Sequence, residues 1–232
     1  MAGLTPPPLP APDTKARAVE AMFDRIAPRY DRLNRILTFG LDVGWRRRAV
    51  ASLALPRGAR VLDLACGTGD LCRELSRAGY RAAGVDYAAG MLAHNRSGAP
   101  LIRADILALP VAAGTVDGAV CGFALRNVVD IAGCLAEMAR VVRRDGRIAV
   151  LEVGEPHRAL LRRGHALYLH RVVPVIGGLL ADRAAYRYLP ASTSYLPPAG
   201  ELEAMMAEAG FPDARCVALG AGAAQLLLGT RR

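Results

Sequence analysis

From Arg60 onward, short apolar runs alternate with amphipathic stretches. The runs are RVLDLA (60–65), RAAGVD (81–86), LIRAD (101–105), VDGAVCGF (116–123) and RIAVLEV (147–153). Each is short and nearly continuous, the pattern of a strand buried on both faces. Helix-period segments lie between them. The clearest is DIAGCLAEMARVVRRDG, in which Asp130 stands as the N-cap, Ile131, Leu135, Met138 and Val142 share one face, and RRDG turns the chain. This alternation predicts a doubly wound α/β fold, with a mostly parallel sheet and helices on both faces. PAGELEAMMAEAGF predicts a last helix. Two strands near 215–219 and 224–229 then close the sheet as an antiparallel C-terminal hairpin around GAG.

Ahead of the sheet the period is helical. Val19, Met22, Phe23 and Ile26 fall on one face of a helix that Asp13 or Thr14 can cap, and WRRRAVASLAL (45–55) is a second helix stopped by Pro56. Residues 1–13 carry five prolines and read as an extended, disordered tail. Residues 14–232 read as a single domain, with 14–56 as an N-terminal helical cap or lid and 157–198 as a helical insertion before the last strands. The start lacks the basic and apolar regions of a signal peptide. The most apolar stretch, His165 to Ala181, is interrupted by Arg171, Pro174 and a Gly-Gly pair, too broken to span a bilayer. A cytoplasmic protein is expected.

Composition narrows the partners. The chain of 232 residues is 53% hydrophobic and carries a formal charge of +9, almost all of it arginine, since Lys15 is the only lysine. Such a surplus suits solubility, an anionic membrane surface or an acidic substrate. Nucleic acid is not expected: the arginines are scattered, and aromatics at 5% are too few for base stacking. Cys66, Cys72, Cys121, Cys134 and Cys216 lack C-x-x-C spacing and mostly sit in apolar runs, so they read as small core residues of a reduced protein. His94, His157, His165 and His170 show no zinc spacing, and no metal is expected.

The chemistry begins at VLDLACGTGDL (61–71). A glycine turn straight after the first strand lets a ligand lie against the backbone at a helix N-terminus. Dinucleotides and sulfonium nucleosides share that need. The dinucleotide fingerprint requires a third glycine, and Cys72 stands in its place. Asp63, inside the strand end, suits a cationic ligand and repels a pyrophosphate. Asp86 closes the second strand, where an acid accepts from ribose hydroxyls. The sum favours S-adenosylmethionine, its positive groups near Asp63 and its ribose on Asp86. Asp105 in RADILALP can accept from the adenine amino group, with Ile106 over the ring, and reads equally well as a helix N-cap.

With MFDRIAPRYDRLN and GWRR upstream, GVDYAAGML, FALRNVVDI, ARVVRRDGRIAVLE, YRYL and MMAEAGF downstream, the chain resembles the ubiquinone/menaquinone biosynthesis C-methyltransferases. These belong to the class I S-adenosylmethionine-dependent methyltransferases, whose fold is Rossmann-like. The resemblance implies that Asp63, Gly67, Thr68, Gly69, Asp86, Met91, Asp105 and Ile106 line the cofactor, joined by Tyr87 and Gly122, with Tyr30 closing over it. It implies that Arg126 and Asn127 face the acceptor. Departures concentrate on the acceptor half: Gly122 replaces the usual serine, Ala124 a glycine, LEVGEP stands for LEFSKP, PASTSY follows YRYL, and the closing histidine is missing.

Methyl transfer from a sulfonium is an in-line displacement in a dry site. Arg126, always cationic, can stabilise a phenolate that activates the neighbouring ring carbon, and Asn127 can orient the hydroxyl. Without the resemblance, Arg126-Asn127 reads more simply as a strand-end turn with an exposed arginine. Three functions stand open. The first is C-methylation of a demethylated prenylated quinol, a membrane-embedded acceptor that brings peripheral contact with the inner membrane face. The second is methylation of another small aromatic or polyketide-like molecule. The third is S-adenosylmethionine binding without transfer. A homodimer is compatible with all three.

Overall fold

The computed structural model describes residues 12–156, 158–180 and 183–232. The proline-rich start up to residue 11, and His157, lie outside the described residues. Seven strands form one sheet: β1 (Arg60–Leu64), β2 (Arg81–Asp86), β3 (Leu101–Arg103), β4 (Val116–Gly122), β5 (Val142–Val153), β6 (Arg215–Leu219) and β7 (Ala224–Thr230). Their order is β3-β2-β1-β4-β5-β7-β6. The first five run parallel, and β7 lies antiparallel between β5 and β6. The order reverses between β1 and β4, which opens a crevice at the carboxyl ends of those strands.

Period-two alternation divides the core. Ala119, Cys121, Ile148 and Val150 face α6 (Ile131–Val141) and α10 (Ala199–Glu208). Val120, Ala149 and Leu151 face α3 (Leu41–Leu53) and α4 (Asp70–Arg77). A third cluster is wholly helical: Met22 and Ile26 of α1 (Pro12–Ile26) and Leu33 and Leu37 of α2 (Tyr30–Leu37) pack on Val173 of α8 (Val173–Leu180) and Ala185 and Tyr186 of α9 (Arg183–Ser192). Each large side chain buried there contributes about 1.5–3 kcal/mol relative to exposure. Helices α1 and α2 thus pack in one layer with α8 and α9, far away in sequence. Two short helices complete the set, α5 (Ala89–Ala93) after β2 and α7 (Ala159–Leu167) after β5.

Several local expectations shift. Helix α1 begins at Pro12, so Asp13 and Thr14 lie inside its first turn rather than ahead of it. Helix α3 starts at Leu41, before Trp45, and α2 is an element of its own. Val142 is not on a helix face: α6 ends at Val141 and β5 starts at once, pairing Val142 with Val116 before the register shifts to Gly118 and Arg147. The expected RRDG turn survives as a bulge at Asp145 (φ 60). It stays in the sheet because the Asp145 N–H donates to the Arg231 carbonyl (2.8 Å) and the Arg231 N–H to that of Gly146 (2.9 Å). Those partners come from the far end of the chain, so local periodicity cannot reveal them. Asp105 lies two residues past the end of β3, not in it. Four of the five cysteines are buried, and all five are free thiols.

Candidate active site

After β1 the backbone turns left-handed at Ala65 (φ 54), Gly67 (φ 52) and Gly69 (φ 89). Gly69 is the N-cap of α4, and a Cβ there would stand 2.4 Å from the Asn95 side chain, so only glycine fits. At Gly67 the nearest atom to a Cβ is the Met91 sulfur at 3.9 Å, which leaves its face open to a ligand. Asn95 Nδ2 donates to the Gly67 carbonyl at 2.9 Å and pins the loop.

The three carboxylates expected from the sequence line the cleft beside this turn. Asp63 is 1% exposed. Its Oδ2 accepts from the Cys72 N–H at 3.0 Å, while Oδ1 is buried with no partner among the described residues. Burial raises its pKa to about 7. A buried acceptor without a donor fits a cationic ligand group. Asp86 accepts from the Gly67 N–H (2.7 Å) through Oδ2 and from the Ala88 N–H (2.8 Å) through Oδ1. It therefore fixes the glycine turn and keeps lone pairs for a ligand; burial pushes its pKa up. Asp105 is exposed, and its Oδ1 accepts from the Leu107 N–H at 2.9 Å. That local cap, one of its two expected roles, coexists with a place on the cleft wall.

The N-terminal layer closes one side. The Asp31 carboxylate accepts from the Thr68 hydroxyl, so the RYD segment is bonded to the glycine turn. Asp24 Oδ1 accepts from the Gly90 N–H at 2.7 Å, and Glu20 pairs with Arg103 at 3.0 Å. Tyr30 packs edge-on against Phe23, ring centroids 5.9 Å apart. Burial raises the Tyr30 pKa, with Arg46 and Arg126 pulling the other way.

Together these groups enclose a cleft of about 1080 Å³ of empty space. Tyr30, Asp63, Gly67, Thr68, Asp86, Tyr87, Met91, Asp105, Ile106 and Gly122 all line it. Gly69 does not; it shapes the turn from behind. Arg126 lies instead on a neighbouring cavity of about 1420 Å³. Asn127 lines both, as do Phe23, Tyr30, Arg46 and Phe123. Those five residues are the common wall. The second cavity is largely apolar, with Met22, Ile26, Leu37, Trp45, Tyr168 and Val173 around it.

Arg126 is not an exposed turn residue. It is 4% exposed and pairs with Glu152, which is 0% exposed at the end of β5. Its main-chain N–H donates to Glu152 Oε2 (3.2 Å), its Nε to the Ser192 hydroxyl (3.2 Å) and its guanidinium to the Phe123 carbonyl (2.9 Å). The Tyr188 hydroxyl donates to Asn127 Oδ1 at 3.3 Å. Sequence reasoning missed Glu152, although an acid at the carboxyl end of a parallel strand is the same signal that marked Asp86. It also missed Arg46, inside GWRR, whose guanidinium carbon lies 5.4 Å from the Phe123 ring centroid. Phe123 itself holds φ 59, uncommon for a bulky side chain, where both spaces meet.

A doubly wound sheet with a glycine turn after its first strand, and a buried acid with one unpartnered oxygen on the cleft, is the arrangement expected of a class I methyltransferase. The chain belongs to the ubiE/COQ5 methyltransferase family, whose model matches residues 11–231. It is 44% identical to the demethylmenaquinone methyltransferase of Roseiflexus castenholzii, covering 97% of this chain and 98% of that one. It is 43% identical to the demethylmenaquinone methyltransferase of Thermus thermophilus, covering 90% of this chain and 100% of that one. Among solved structures, an S-adenosylmethionine-dependent methyltransferase of Thermotoga maritima superposes with TM-score 0.65 at 19% identity, covering 91% of this chain and 99% of that one, a likeness of fold. The protein is an S-adenosylmethionine-dependent methyltransferase.

Proposed function

We propose that the enzyme transfers a methyl group to a ring carbon of a demethylated, prenylated quinol of the menaquinone type. The observation that carries this reading is the common wall: the cofactor cleft and a large apolar cavity share Phe23, Tyr30, Arg46, Phe123 and Asn127. Relatives named for demethylmenaquinone support the acceptor class.

S-adenosylmethionine supplies an electrophilic methyl group on sulfur. When it is bound, Asp63 would take its ammonium group, Asp86 its ribose, and Asp105 and Ile106 its adenine, with Tyr30 above them. On the acceptor side, the quinol hydroxyl gives its proton to water. The negative charge then delocalises onto the neighbouring ring carbon, stabilised by Arg126 and Arg46. Asn127, held by Tyr188, orients the hydroxyl. The new carbon–carbon bond forms as the sulfur–carbon bond breaks, and loss of the ring proton to water restores the aromatic ring.

The mouth of the acceptor cavity suits a lipid. Phe39 is 79% exposed and Leu41 52%, and both line that cavity. Leu160 (83%) and Leu167 (60%) on α7 add to the exposed apolar surface. Arg158, Arg162, Arg163 and Arg171 accompany α7, and the sequence has no acid from 158 to 180. We read this surface as a peripheral contact with an anionic bilayer; among the described residues no helix is long and apolar enough to cross a membrane.

Incubation with methyl-deuterated S-adenosylmethionine and demethylmenaquinol in detergent micelles tests the reading. A deuteromethyl quinone supports it. Binding of S-adenosylhomocysteine without any methylated quinone refutes it.

A further inference from the structure

Lys15, the only lysine of the chain, is 5% exposed. Its Nζ donates to the carbonyls of Val128 (2.8 Å) and Arg126 (3.2 Å), and it lies 3.8 Å from the centroid of the Tyr195 ring. The two carbonyls flank Asn127, one of the five residues common to both cavities. A charged donor on a carbonyl makes a stronger bond than a neutral one, and the ring face adds a cation–π contact. Desolvating an ammonium is costly, so this seat holds only when all three partners are in place.

The rest of α1 runs along the cofactor cleft. Ala16, Val19, Glu20 and Phe23 line it. Further along, Asp24 bonds the Gly90 N–H at 2.7 Å and Glu20 pairs with Arg103 at 3.0 Å, both on the cofactor side. One helix is therefore fastened at its start to the acceptor-side turn and at its middle and end to the cofactor-side elements. That is the geometry of a strap.

We propose that Lys15 is a positioning residue for methyl transfer. By seating on the Arg126 and Val128 carbonyls it locks the strap α1 and sets the turn that carries Asn127, so closing over the cofactor and arranging the acceptor side are a single event. This rests on the acceptor lying against Asn127. Lys15 touches neither substrate. Loosening its seat disturbs the geometry of the reacting pair more than cofactor binding, since near-attack alignment tolerates little misplacement.

A unique lysine permits a direct test on the unaltered protein. An N-hydroxysuccinimide acetate reagent, with peptide mass spectrometry, reads the acetylation rate of the Lys15 amine. Saturating S-adenosylhomocysteine is expected to slow that rate about two- to threefold, a coupling small enough to leave cofactor affinity nearly unchanged when the seat is lost; an unchanged rate overturns the proposal. This arm uses no quinol, so it stands apart from the acceptor assignment, which wild-type turnover tests separately. In the second arm Lys15→Gln is expected to lose at least tenfold in kcat with less than a threefold change in the KM for S-adenosylmethionine. Lys15→Arg should recover part of the loss, since a residue that merely supports the fold would lower stability without splitting kcat from KM. Wild-type kcat in Lys15→Gln also overturns the proposal.

Discussion

The guanidinium of Arg126 and the carboxylate of Glu152 form an ion pair inside the protein, with side-chain exposures of 5% and 0%. The pair joins the turn after β4 to the end of β5 and sits at the edge of the apolar cavity. A buried pair is expensive to break, because the remaining charge has neither water nor partner. Arg126→Ala is therefore expected to cost about 3–5 kcal/mol of stability, besides removing a cation from the proposed acceptor site. Replacing both partners separates these effects. Arg126→Met with Glu152→Leu should recover most of the thermal stability in a melting experiment, yet leave turnover at least a hundredfold down. A double variant with normal turnover would make the pair purely structural.

Asp63 gives a pH dependence with a defined sign. Its folded pKa of about 7 lies above the ordinary aspartate value of 3.8. Above the unfolded pKa the unfolded chain ionises first, so Asp63 draws stability from the ligand-free protein as pH rises from 4 to 7, with the full penalty above 7. A cationic ligand reverses this by favouring the carboxylate. Affinity for S-adenosylhomocysteine should thus rise about tenfold per pH unit up to pH 7 and then level off. Asp63→Asn should flatten the profile, weaken binding and stabilise the ligand-free protein at pH 8. Calorimetry across this range that showed a flat wild-type profile would remove Asp63 from ligand binding.

Asp86 holds the glycine turn and, in the function proposed above, the ribose as well. Asp86→Ala is expected to lose about 1.5–3 kcal/mol of S-adenosylmethionine affinity. It should also speed amide exchange at Gly67 and Ala88, whose N–H groups lose their acceptor. Unchanged affinity in titration calorimetry would exclude the ribose contact.

The sheet was legible because its strands are continuous apolar runs, and β2, β6 and the hairpin around GAG fall within a residue of where the pattern puts them. The limits of β5 were not legible: Val142 continues the apolar face of α6, and only the remote backbone of Arg231 decides that the chain extends there. The cleft wall was partly readable because Asp63 and Asp86 stand at strand ends next to a glycine turn, whereas Asp105 lies past the end of its strand. The acceptor side is different. Arg126 and Glu152 meet only after folding, and Lys15 and Tyr195 come from opposite ends of the chain. Their pairing depends on the helical layer built from α1, α2, α8 and α9, which no local period encodes.

The most direct measurement follows the position of the transferred methyl group. Demethylmenaquinol and carbon-13 methyl-labelled S-adenosylmethionine are incubated with the enzyme, and the product is mapped by nuclear magnetic resonance. A carbon-bound ring methyl, formed at a rate that falls when Asn127→Ala loosens the acceptor site, is the result expected here. An oxygen-bound methyl, or no labelled quinone from a protein that still binds S-adenosylhomocysteine, would contradict it.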